Sequence, residues 1–82
     1  MYSIYIIKAT RKPVYVGNRD HFDDAHYMAE YTYNTWKLLN NNDMASTGVS
    51  VQVVDSTFDS EISEIEIGGL PKKSIIFQFG GW

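Results

Sequence analysis

The hydrophobic period changes from two to about 3.6 and back again along this chain, and that switch restricts the fold more than any other feature. Residues 2 to 8 (Tyr-Ser-Ile-Tyr-Ile-Ile-Lys) are β-branched and aromatic and read as a strand. Thr10, Arg11, Lys12 and Pro13 form a turn, because proline fixes its own φ and cannot donate to a central ladder. Val14, Tyr15 and Val16 return as a second strand that ends at Gly17-Asn18, which makes a β-hairpin. From about Asp20 to Leu39 the apolar residues recur at spacings of three and four: Phe22, Ala25, Ala29, Tyr33, Trp36 and Leu39 mark one face of a helix. Asp20 is the expected N-cap, Asp23 and Asp24 suit the positive end of the helix dipole, and Lys37 suits its last turn.

The side chains of Asn40-Asn41-Asn42-Asp43 compete for backbone hydrogen bonds, so the helix ends there and residues 40 to 48 read as a loop. Alternation resumes at Val49, Val51 and Val53, a third strand. Residues 58 to 67 fit two patterns. Phe58, Ile62 and Ile65 have helical spacing, whereas Glu64-Ile65-Glu66-Ile67 alternates like a strand; a short helix is the preferred reading. Gly68-Gly69-Leu70-Pro71 is a turn, and Ser74 to Phe79 is a final strand. The order β-β-α-β-(α or β)-β describes a single α+β domain over residues 1–82: a small three- to four-stranded sheet, opened by the N-terminal hairpin, with one long helix packed on one face.

A chain of 82 residues buries only about 60% of its unfolded surface, so a partner or a second copy adds usefully to a thin core. The last strand and the Tyr27/Tyr31 face are the candidate homodimer contacts. The absence of cysteine excludes a disulfide scaffold, a thiolate zinc site and cysteine nucleophile chemistry. No run approaches the roughly 18 apolar residues of a membrane span, and no basic segment precedes the short apolar start. A cytoplasmic location without a membrane partner is therefore expected.

The net charge of −3 conceals an uneven layout. All ten acids lie between Asp20 and Glu66, with Lys37 the single base among them, so that stretch carries −9. Outside it stand six bases (Lys8, Arg11, Lys12, Arg19, Lys72 and Lys73) and no acid. Solvated surface charge explains part of this pattern. The sharper reading is two functional faces, a basic one for phosphates and an acidic one for a basic partner. Lys8, Arg11, Lys12 and Arg19 are the candidate phosphate-binding residues. Asp55, Asp59, Glu61, Glu64 and Glu66 form a carboxylate row that imitates phosphates, and Tyr27 and Tyr31 are a second candidate partner contact.

Other constellations carry less. His21 and His26 are five apart and diverge on a helix, so they do not share a metal. His26, Glu30 and Asp23 share a face, which reads as a solvated polar surface before it reads as a loose metal site. No serine sits in a nucleophile elbow, and Gly68-Gly69 is too short for a phosphate loop.

One resemblance covers most of the chain. Ser3-Ile4-Tyr5 and, beyond Ile6 to Val14, Tyr15-Val16-Gly17 resemble the hairpin of GIY-YIG nucleases, with Ser3 in place of the first glycine. Phe22 falls where that family begins its helix, and Val51 to Val54 followed by Glu64 and Glu66 is similar to its third strand and glutamate-bearing helix. The resemblance implies a magnesium-dependent phosphodiesterase in which Tyr5 and Tyr15 are the hairpin tyrosines and Glu66, or Glu64, holds the metal. The family's arginine would fall at or near Ala25, and the helix contains none. Arg19, in the preceding loop, is the only stand-in, while Asp23 and Asp24 would repel a phosphate whose reaction depends on positive charge. The resemblance therefore implies either a non-catalytic descendant or an enzyme using Tyr5, Tyr15, Arg19 and Glu66.

Three functions follow as expectations. The first is a small acidic module without catalysis or cofactor, of the kind phages and mobile elements use as inhibitors, that engages a nucleic-acid-handling host protein. The second is the GIY-YIG-like endonuclease. The third is a binder of a small phosphorylated ligand.

Overall fold

The computed structural model describes residues 1–39 and 48–81. The loop expected over residues 40 to 48 lies outside this range except for Gly48, as does the side chain of Leu39, expected on the buried face of the helix. Strand β1 spans Tyr2–Lys8 and β2 spans Val14–Arg19; helix α1 spans Phe22–Leu39, and β3 spans Val49–Asp55. A 3₁₀ turn at Ser56–Phe58 leads into the short helix α2, Asp59–Ile62, and a second 3₁₀ turn at Lys72–Ser74 leads into β4, Ile75–Phe79. The strands form one sheet in the order β2-β1-β3-β4, every pair antiparallel. This is the expected α+β fold, a four-stranded sheet with one long helix.

Alternation along β1 builds two apolar layers, because successive side chains of a strand point to opposite faces. Ile4 joins Val51, Val53, Ala25 and Ala29 under α1, with Tyr2, Ile6, Val16, Phe22, Met28, Tyr33 and Phe79 at the margin. Tyr5 and Ile7 face the other way and pack with Val54, Ile62 and Leu70, flanked by Phe58, Ile65 and Ile75. The second layer is a finding that hydrophobic periodicity did not supply. The stretch between β3 and β4 lies across the sheet face opposite α1, and its apolar residues are spaced to plug that face.

The ambiguous stretch is resolved by its cap. Asp55 accepts the Thr57 N–H at 2.9 Å, which starts the 3₁₀ turn, and α2 follows without interruption. Glu64-Ile65-Glu66-Ile67 pairs with no strand among the described residues. Three further details differ from the sequence reading. Strand β2 continues past Gly17 to Arg19. Helix α1 begins at Phe22, and the His21 carbonyl accepts the first helical bond from the Ala25 N–H at 3.0 Å, so His21 rather than Asp20 holds the cap position. Trp36, expected in the buried stripe, is 36% exposed.

Two irregularities keep the faces in step. The register shifts between Ile4 and Tyr5 against β2, and between Val53 and Val54 against β4. The second shift matches Val54 to Ile75 in one layer and Val53 to Phe77 in the other, leaving Ile76 as the extra, exposed residue of a bulge.

Candidate functional site

The outward face of α1 follows from its inward one. Ala25 and Ala29 are fully buried, so at about 100° per residue Tyr27, Tyr31 and Leu38 stand on the far side of the helix. They are 69%, 65% and 73% exposed. Asp23, Asp24 and Glu30 flank them, also exposed. His26 does not belong to this wet face. Its ring lies 4.9 Å from Phe77, 5.1 Å from Phe79 and 5.9 Å from Phe22, inside an aromatic cluster between α1 and β4. The loose grouping of His26 with Glu30 and Asp23 is thereby corrected. Among the described residues no three acidic or histidine side chains gather where a metal would need them.

The carboxylate row of residues 55 to 66 sits in the layer opposite α1, so it shares no surface with Tyr27 and Tyr31. Its members are also unequal. The Thr57 N–H that Asp55 accepts holds its carboxyl below the ordinary carboxylate range. Asp59 points inward: one oxygen accepts from the Ser3 hydroxyl and the other from the Tyr5 hydroxyl, both at 2.8 Å. Glu61 stands 4.0 Å from the Lys73 ammonium, and both groups are largely exposed. Such a pair is screened and weak. Glu64 and Glu66 are exposed.

The hairpin brings Tyr5 and Tyr15 together. They are partners across the β1–β2 ladder, with ring centroids 5.5 Å apart in an edge arrangement. Burial raises the Tyr5 phenol far above the ordinary tyrosine value, and the Asp59 hydrogen bond and charge add to the shift. A phenol so placed is a protonated donor. The two tyrosines and Asp59 line a cleft of about 390 Å³ with Lys12, Pro13, Ile62 and Ser63. Arg19 is not there. It pairs with Tyr2 at the end of the ladder away from the turn, and its guanidinium donates to the neighbouring Asn18 carbonyl at 2.6 Å.

The remaining candidate phosphate ligands converge. Lys8, Arg11 and Lys12 rim a second cleft of about 200 Å³, whose walls are Ile6, Val14, Val49 and Trp36. Trp36 and Val49 were not among the candidates. The register that sets Lys8 against Val49 carries the start of β3, and with it the end of α1, to the hairpin turn. The antiparallel β1–β3 pairing sets Val49 beside Lys8, and that pairing was the missing signal.

Both outer strands leave one edge unpaired among the described residues, and β4 exposes Ile76 and Phe77 there. No helix of the described residues is long and apolar enough to cross a membrane. No protein-family model, curated protein or solved structure matches the chain.

Proposed function

We infer that this protein is a non-catalytic binding module that docks the exposed face of α1 onto a basic surface of another protein. The observation that carries this reading is the pairing of Tyr27 and Tyr31, each about two-thirds exposed, with Asp23, Asp24 and Glu30 around them. Tyrosines supply large, stiff contact area at the centre of interfaces, and flanking carboxylates steer a cationic partner and set register. Proteins that handle nucleic acids carry such cationic surfaces for phosphate. Occupying one of them blocks the nucleic acid, so the module acts as an inhibitor. Glu61, Glu64 and Glu66, in the opposite layer, form a separate and secondary acidic surface.

The test is capture from a host lysate at low and high salt. Three baits are compared: wild type, Tyr27→Ala/Tyr31→Ala, and Glu61→Gln/Glu64→Gln/Glu66→Gln. The expected result is a nucleic-acid-binding protein retained at low salt by wild type and the glutamate variant, lost with the tyrosine variant, and displaced by its own nucleic acid. Equal retention by all three baits, or a captured protein indifferent to nucleic acid, would overturn the reading.

A second reading, a GIY-YIG-like magnesium-dependent phosphodiesterase, is favoured by the Tyr5–Tyr15 contact. It requires DNA cleavage that magnesium supports and that Tyr5→Phe and Glu66→Ala both abolish. The engagement of Tyr5 by Asp59 and the distance of Arg19 from the tyrosine pair weigh against it.

A further inference from the structure

We propose that the cleft at the hairpin turn binds a free nucleotide, with its phosphates on Lys8, Arg11 and Lys12 and its base between Trp36 and the aliphatic wall.

Three observations support this. The first is charge. Three of the seven bases of a chain with net charge −3 rim one cleft, and among the described residues the single ion pair is Lys73–Glu61, elsewhere. Among the described residues no carboxylate stands within ion-pair distance of Lys8, Arg11 or Lys12, and like charges held together repel, a repulsion that an arriving anion relieves. Several cations match a multiply charged phosphate chain better than a single carboxylate, and the Arg11 guanidinium suits a two-point grip on phosphate oxygens.

The second observation is the wall. Ile6, Val14 and Val49 are apolar and Trp36 is a flat aromatic, which together take up the face of a base. The third is size. About 200 Å³ falls below the roughly 300 Å³ at which pockets for drug-sized ligands begin. One ring system enters while sugar and phosphates stay at the charged rim. A long single strand is disfavoured because Asp23, Asp24 and Glu30 on α1, and the carboxylates of residues 61 to 66 on the other layer, repel a polyanion that extends beyond the rim.

The site is independent of the docking face on α1, and its test has separate arms. Wild-type protein is titrated with each of the common nucleoside triphosphates, with inorganic triphosphate, and with a short single-stranded oligonucleotide, by calorimetry and by thermal shift. The variants are Arg11→Gln, Lys8→Gln/Lys12→Gln, Trp36→Ala and, as a charge-matched control at the far end of β2, Arg19→Gln. Circular dichroism confirms that each is folded, and Trp36→Phe replaces Trp36→Ala if the latter is not. The expected result is saturable binding and a raised Tm with at least one nucleoside triphosphate, at least tenfold weaker in the Arg11 and Lys8/Lys12 variants and unchanged in Arg19→Gln. Inorganic triphosphate binding as tightly as the nucleotide would remove the base from the proposal and overturn it. Tighter binding of the oligonucleotide than of any nucleotide would assign the cleft to nucleic acid instead. Absence of nucleotide binding at millimolar concentration would end it.

Discussion

The hydroxyl of Tyr5 donates to the carboxylate of Asp59 at 2.8 Å, across 54 positions of sequence. The Ser3 hydroxyl occupies the other oxygen of the same carboxylate. Two neighbours on one face of β1 are thus tied to the first residue of α2, and the segment that covers the second sheet face is anchored at its start. Hydrogen bonds to a charged group contribute about 1.5–3 kcal/mol each where they are shielded from water, and a stranded partner adds its desolvation cost.

Asp59→Ala should therefore destabilise the protein by roughly 2–4 kcal/mol, and Tyr5→Phe by roughly 1–2 kcal/mol. For a domain of this size each kcal/mol lowers Tm by about 4–8 °C. Thermal and urea denaturation read both numbers. A Tm for Asp59→Ala within 2 °C (about 0.3–0.5 kcal/mol) of wild type would show that the anchor contributes little.

The same contact sets a pH dependence. Tyr5 titrates well above its ordinary value of 10.0 in the folded state, first through burial and then through Asp59. A group whose folded pKa is raised contributes stability that is complete below the unfolded pKa and is lost as pH rises above it. Stability should accordingly fall as pH climbs past about 10. That slope should be shallower in Tyr5→Phe. Urea midpoints between pH 8 and 11.5 make the comparison, and identical slopes would exclude Tyr5 as a contributor.

Much of the sheet and helix was legible because period alone defines them: β1, α1, β3 and β4 stand where alternation and the three-four spacing put them. The misplacements have physical causes. Trp36 continues the helical stripe of Ala25 and Ala29, but it lies beyond the sheet's main overlap with α1, at the hairpin end, where a ring lines a cleft. His26 is polar by type, and it was tertiary packing by Phe77 and Phe79 that drew it inward. Asp59 reads as one more carboxylate of an acidic row until β1 brings Ser3 and Tyr5 to it. Of the candidate site residues, Lys8, Arg11 and Lys12 share one turn and were legible together, while Arg19 was separated from them by the length of the β2 ladder.

Helix α1 offers a direct contrast between its two sides. Ala25 and Ala29 are fully buried against Ile4, Val51, Val53 and their neighbours, so Ala29→Leu inserts volume into a filled layer. Overpacking of this kind costs about 1–3 kcal/mol. Tyr27→Ala and Tyr31→Ala remove side chains that touch mostly solvent and should change stability by no more than about 0.5 kcal/mol each. Equal losses on both sides, by urea denaturation, would mean that α1 is seated differently on the sheet.

The final prediction compares two glycines under opposite constraints, Gly80 just after the end of β4 and Gly69 in the turn that precedes it. Gly80 has φ +75°, and a Cβ there would sit 2.6 Å from Tyr33 Cε1 and 3.1 Å from the Val49 carbonyl oxygen. Gly69 has no positive φ and open space around it. In Gly80→Ala the left-handed backbone costs roughly 1–2 kcal/mol, and the Tyr33 ring, stacked 6.0 Å from Phe79, must also move away. A loss of about 2–4 kcal/mol is expected. Gly69→Ala instead removes freedom from the unfolded chain and should be neutral or stabilising by up to about 1 kcal/mol. Paired Tm measurements decide the matter: a Gly80→Ala protein as stable as wild type would mean that β4 does not end against Tyr33 and Val49 as described.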